Sequence, residues 1–238
     1  MLYLVDISCK MEESLSTNRS LTKLYRTGRF FLLPFFLFLA FGFVLIGVFG
    51  NVELFLWQNQ YYSHVADLFF LKITHLGDAA LAFAIALLLL RISVRDSLTF
   101  LVVTVLLMFL TTLLKRYIFP EIGRPVEFFE FQKVIRLANG YYPPGLYSFP
   151  SGHSATVFSI FCYLSLLTKN RSVQFLMFLL ALTVSYSRIY LSAHFPVDVL
   201  AGSLIGVAIT CLSYLLSRRF SGHWLNLKFV LKPKPAFR

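Results

Sequence analysis

The chain has 238 residues, 58% of them hydrophobic and 14% charged, with a mean hydropathy of +0.72. That balance excludes an ordinary water-soluble globule. The formal net charge of +11 does not point to a nucleic-acid partner, because most of the basic residues flank apolar runs, where membrane orientation accounts for them.

Residues 1–29 are polar and basic, and the charged region is too long for a cleavable signal. Residues 30–50 form a first apolar run of about the ~20 residues that a spanning helix needs, with Pro34 expected in its first turn. Residues 51–63 carry Glu53, Trp57, Tyr61 and Tyr62 without Lys or Arg, as an outer loop with interfacial aromatics should. The second span, 64–90, has a wet beginning, Asp67, Lys72, His75 and Asp78, before a dry second half. His75 and Asp78 either line a cavity or form a structural polar pair. Residues 98–114 are a third span.

The polar segment 115–151 is too long for a simple connection, which marks it as a functional candidate. Within it, Glu127 and Glu130 among Phe128, Phe129 and Phe131 suggest an interfacial amphipathic stretch near a lipid entrance. Spans four to six follow at 155–167, 173–186 and 196–216, and a basic tail closes the chain. Cys9, Cys162 and Cys211 lack metal-ligand spacing and read as small apolar residues with no disulfide framework. His64 and His223 read as surface residues.

Placing the N-terminus in the cytoplasm puts 15 of the 22 Lys and Arg residues on the inner side. The outer exceptions include Lys115, Arg116, Arg124 and Arg188, which sit beside the stretches that carry chemistry. Both termini are then cytoplasmic, and those stretches share the opposite face.

The first of them is Tyr147-Ser148-Phe149-Pro150-Ser151-Gly152-His153-Ser154, a turn that opens into the fourth span. Such a helix start aims unpaired N–H groups and the positive end of the helix dipole at one spot, which suits a phosphate. Ser151 either caps the helix or donates its hydroxyl to an anion, and Gly152 lets a ligand approach the backbone. A capped membrane helix with an interfacial histidine is the plainer alternative. The second stretch is Ser187-Arg188, five residues, His194, three residues, Asp198, with Pro196 suited to the first helical position. Asp198 can reach back to one imidazole nitrogen of His194 and leave the other free to attack. Arg188 can lie across a phosphate as a planar fork; snorkelling anchors paired at a helix end are the alternative. The third is Lys115 with Arg124-Pro125, a possible anchor followed by a rigidly presented cation.

Together these stretches resemble the tripartite signature of the type 2 phosphatidic acid phosphatases, membrane lipid phosphatases related to the vanadium haloperoxidases and glucose-6-phosphatase. The Pro150–His153 and Ser187–Asp198 motifs match residue for residue. The Lys115 motif departs, with eight residues between Lys115 and Arg124 where the family usually has six; Lys115 with a two-residue insertion is assigned here, and Arg116 is the alternative. The resemblance covers the chain from about the second span to the sixth. It implies that His194 is the nucleophile, that Asp198 orients it, and that His153 protonates the leaving oxygen and then activates water. Lys115, Arg124, Arg188, Ser151 and the Gly152 N–H would hold the phosphoryl oxygens. No metal and no cofactor is implied, because the cationic side chains take the role of Mg²⁺ elsewhere.

The expectation is an all-α, polytopic membrane protein of six transmembrane helices with an acid phosphatase/vanadium-dependent haloperoxidase-like core. Its divisions are a cytoplasmic segment 1–29, a membrane phosphatase domain 30–216 and a basic cytoplasmic tail 217–238. The expected partners are membrane lipids and a lipid phosphate, either a monoester or a pyrophosphate. The class includes undecaprenyl pyrophosphate, phosphatidylglycerol phosphate, phosphatidic acid and lipid A phosphates. The expected location is the cytoplasmic (inner) membrane with the site on the outer side, and the sequence leaves the oligomeric state open. Two other functions share the motifs: a phosphotransferase that passes the phosphoryl group to an acceptor lipid, and a lipid-binding carrier without turnover.

Overall fold

Apolar runs in lipid must satisfy their own backbone groups, and a helix does so within one segment. A computed structural model of the chain describes residues 2–129, 135–138 and 141–227, with the backbone alone at 2–19, 223 and 226. The described residues are helices and connections, with no strand. Helix α1, Leu2–Phe49, is interrupted by non-helical backbone at Gly28. Beyond that interruption the helix resumes, and Pro34 lies in the second turn of its apolar part, close to the expected start. Gly50, at φ 89°, turns the chain into α2, Asn51–Asn59, so most of the expected outer loop is helical.

Helix α3, His64–Ile73, starts at Ser63, whose side chain accepts from Ala66 N. One 3₁₀ turn, Thr74–Gly77, separates it from α4, Ala79–Leu89, and the two helices bend by 52°. The second span expected as one run is therefore broken, at the polar residues Thr74, His75 and Asp78. Helix α5, Val94–Leu113, runs on into a π turn, Leu114–Ile118. A single turn, α6 (Pro125–Phe128), precedes α7 (Gly152–Leu167), α8 (Arg171–Tyr190) and α9 (Pro196–Ser217).

Among the described residues four helices are long and apolar enough to cross a membrane, or five if the bent α3–α4 pair counts as one span. Helix α7, at 16 residues, is shorter than these. The protein is an all-α, multi-pass membrane protein.

Helix α7 occupies the middle, with Ala155, Val157, Phe158, Ile160, Cys162 and Tyr163 buried. Phe158 meets Phe31, Phe35 and Phe38 of α1 at ring separations of 5.3–6.3 Å. Cys162 and Cys211 are free thiols 4.0 Å apart between α7 and α9. The approach of α9 to α7 is set by two glycines one turn apart. A Cβ on Gly202 would lie 2.3 Å from the Ser151 carbonyl oxygen, and one on Gly206 2.2 Å from that of Ala155. Small residues spaced by four let helices pack backbone to backbone in a membrane. Here the contact brings the Ser151 N–H to the Asp198 carbonyl at 2.9 Å, joining two motifs that are distant in sequence.

The other end of the bundle is tied by charge. Asp96 accepts from Tyr163 Oη at 3.0 Å, Arg218 Nη2 at 2.5 Å and Ser93 Oγ at 2.5 Å. Arg95 Nη1 donates to the carbonyls of Ser217 and Phe220. These bonds fasten the start of α5 to the end of α9.

Candidate active site

The turn between α8 and α9 folds His194 back onto Arg188, whose carbonyl accepts from the N–H groups of both Ala193 and His194. Asp198 stands at the third position of α9 and accepts from Phe195 N at 3.0 Å. Its Oδ2 lies 3.3 Å from His194 Nδ1. Ser148 Oγ lies 3.2 Å from the same nitrogen and donates to Asp198, so it joins the pair into a buried triad. With Nδ1 engaged, Nε2 is the free nitrogen of His194.

Arg188 is 3% exposed. Its Nη1 donates to Thr74 Oγ1 at 2.7 Å and its Nη2 to Tyr141 Oη at 3.1 Å. Its Nε is buried without a hydrogen-bond partner among the described residues. A buried guanidinium donor left unpaired is costly, and an anion's oxygen would satisfy it.

Ser151 is fully buried and its Oγ accepts from Ser154 N and Ser154 Oγ, so the structure shows it capping α7. Around Gly152 a Cβ would meet no heavy atom within 4 Å, which leaves room beside the backbone. His153 Nε2 lies 3.0 Å from Asp78 Oδ1.

The long segment returns on itself. Arg124 N donates to the Gly145 carbonyl at 2.7 Å and Ser148 N to the Ile122 carbonyl at 2.9 Å, and these rungs set Arg124 near the triad. Lys115 and Arg124 both act through space on His194, together with Arg188 and His153. Arg116, the alternative to Lys115, lies over the Tyr147 ring, 6.0 Å from its centroid. Further out, Arg136 pairs with Asp67 and its carbonyl accepts from Asn59 and Ser192, anchoring 135–138 to α2 and the α8–α9 turn. Phe128 is exposed, whereas Phe129 packs on Phe55 and Phe195; Glu130 and Phe131 of the expected amphipathic stretch lie outside the described residues, as does the second half of the basic tail.

Burial holds the His194 imidazole well below its ordinary value, and the charges of Arg124, Lys115 and Arg188 push it the same way. A lowered value keeps the ring neutral, and its nitrogen free, on the acid side of histidine's usual range. The acid limb of kcat/KM assigned to His194 is therefore expected below about pH 6.5. Arg124→Gln should move that limb upward, which a pH–rate series on the two proteins checks. A limb that stays put would remove Arg124 from the field at His194.

Sequence reasoning did not single out Ser148, Thr74, Tyr141 or the Gly202/Gly206 pair. The glycines carried a readable signal, a small-xxx-small spacing inside an apolar run. The three hydroxyls carried none, since Ser, Thr and Tyr at loops and membrane boundaries are common.

A multi-pass helical bundle that gathers two imidazoles, a carboxylate and several cations at one end defines a class of membrane protein with a cation-rich polar site. The chain belongs to the PAP2 superfamily, whose family model matches residues 96–221. A 70-residue stretch is 44% identical to an undecaprenyl-diphosphatase of Sulfolobus acidocaldarius, spanning 29% of this chain and 34% of that relative. The crystal structure of Aquifex aeolicus LpxE is similar with a TM-score of 0.61 and 29% identity, covering 69% of this chain and 94% of that one. The phosphatidylglycerolphosphate phosphatase of Bacillus subtilis, described as a transmembrane PAP2-type enzyme, shares the fold with a TM-score of 0.58 and 22% identity, over 84% and 99% of the two chains.

Proposed function

We propose that the protein is a phosphatase that hydrolyses a lipid phosphomonoester or pyrophosphate through a phosphohistidine, without a metal. The observation that carries this reading is the pairing of a buried, oriented His194 with the open Nε of Arg188. The lone pair of His194 Nε2 attacks phosphorus in line, and the bond to the leaving oxygen breaks as that oxygen takes a proton from His153. Neutral His153 then removes a proton from water, the hydroxide attacks phosphorus, and the P–N bond pair returns to His194. Lys115, Arg124, Arg188 and the Gly152 N–H neutralise the phosphoryl oxygens, the largest contribution in reactions of this kind.

The six-span topology belongs to this proposal, with residues 30–216 as the phosphatase domain. It counts the bent α3–α4 pair as one span and α7 as another, although its 16 residues reach only ~24 Å. Lys23, Arg95 and Arg218 lie at the end of the bundle away from His194, which supports cytoplasmic termini and an outer site in the inner membrane.

The test is phosphate release in detergent from undecaprenyl pyrophosphate, phosphatidylglycerol phosphate, phosphatidic acid and lipid A phosphates, each with excess EDTA. Turnover of at least one in EDTA is the expected result. Release from none, or loss that Mg²⁺ restores, would overturn the proposal.

A further inference from the structure

The break in the second apolar run touches both halves of the site. Thr74, at the start of the 3₁₀ turn, accepts from Arg188, and Asp78, just after it, meets His153. Gly77 lies between them, and a Cβ there would stand 3.1–3.2 Å from His153 Cβ, Cδ2 and carbonyl oxygen, so the turn passes close against this histidine. Asp78 occupies the N-cap position of α4, yet its side chain makes no capping bond. Its two oxygens go instead to histidines, Oδ2 to His75 Nδ1 at 2.9 Å and Oδ1 to His153 Nε2 at 3.0 Å. A capping aspartate that forgoes its cap gives up local helix stability, which calls for a compensating role.

Resting on the phosphatase reading above, we propose that Asp78 is a positioning residue for His153, and that the turn 74–78 is a fourth element of the active site. The two histidines are then held by opposite nitrogens. Ser148 and Asp198 engage His194 at Nδ1 and leave Nε2 to attack; Asp78 engages His153 at Nε2 and leaves Nδ1 to carry the proton. When His153 is the imidazolium, its Nε2–H stays on Asp78 and its Nδ1–H goes to the leaving oxygen. When it is neutral, the Nδ1 lone pair takes the proton from water. Thr74 fixes the Arg188 fork from the same turn.

The test compares kcat/KM of the full-length protein for two substrates, with and without Asp78→Asn. One is a lipid phosphomonoester, whose alkoxide leaving group needs a proton; the other is p-nitrophenyl phosphate, whose phenolate does not. The loss on the lipid ester should exceed the loss on p-nitrophenyl phosphate by about tenfold or more, a part of the effect of a whole general acid. In a His153→Ala background, Asp78→Asn should add no further loss, because Asp78 acts only through that ring. The Asp78→Asn protein should still take ³²P label from a good-leaving-group donor. Equal losses on both substrates, additive losses in the double variant, or an Asp78→Asn protein that no longer takes label would each overturn the proposal and leave Asp78 a structural residue. If the unaltered protein releases phosphate from neither substrate, the phosphatase reading fails with it. If only the Asp78 comparison fails, that reading stands.

Discussion

His194→Ala is expected to abolish phosphate release and the labelled phosphoenzyme together. The ring is almost wholly buried, its Nδ1 is occupied by Ser148 and Asp198, and Nε2 is the nitrogen left to form a bond to phosphorus. Removing it takes away the atom that accepts the phosphoryl group, so the fall in kcat should exceed about a thousandfold, as deletion of an enzymic nucleophile does. His153→Ala should behave differently. With a good leaving group the first step needs no proton, whereas the second still needs a base for water, so label should accumulate on His194. Acid-labile, base-stable ³²P in the His153 variant and none in the His194 variant is the expected pattern. Label retained after His194→Ala would put the nucleophile elsewhere.

The second large effect should come from a residue with no chemistry. Gly202→Ala places a methyl group 2.3 Å from the Ser151 carbonyl oxygen, and Gly206→Ala places one 2.2 Å from that of Ala155. In both cases the obstacle is backbone, which no rotamer change can clear, so α7 and α9 must move apart. Overpacking of this kind costs about 1–3 kcal/mol. The displacement also loosens the Ser151–Asp198 bond, and with it the spacing of His153 and His194 across the phosphate. A misplacement of about 1 Å in a reacting geometry can lower a rate a hundredfold, so kcat should fall by about that factor while the protein remains in the membrane. Gly47→Ala, where no atom lies within 4 Å of the added carbon, is the matched control and should leave kcat and thermal stability near their starting values. Equal behaviour of the three variants would mean that the glycine contact does not set the site.

The spacing of apolar runs and helix-start signals was legible at once, because a helix in lipid is specified by its own composition and caps. Ser151 before α7 and Pro196 opening α9 were read correctly as helix starts. The continuous second span was not. Residues 64–90 are apolar enough overall, and only the neighbours that Thr74 and Asp78 find on α8 and α7 make a break there favourable. Tyr141 and Ser148 were equally invisible, since each matters through a partner far along the chain: Arg188 in one case, His194 and Asp198 in the other.

By itself the amino-acid order determined a membrane-embedded helical chain, the residue types able to handle phosphate, and their grouping toward one end. Hydropathy, capping and charge bias are local properties, and they act over a few residues whatever the rest of the chain does. The tertiary structure alone decided which nitrogen of each histidine is held, and that the broken turn 74–78 reaches both motifs. Those outcomes depend on how closely α9 approaches α7 and how the segment after α5 folds back, distances that no stretch of sequence carries within itself.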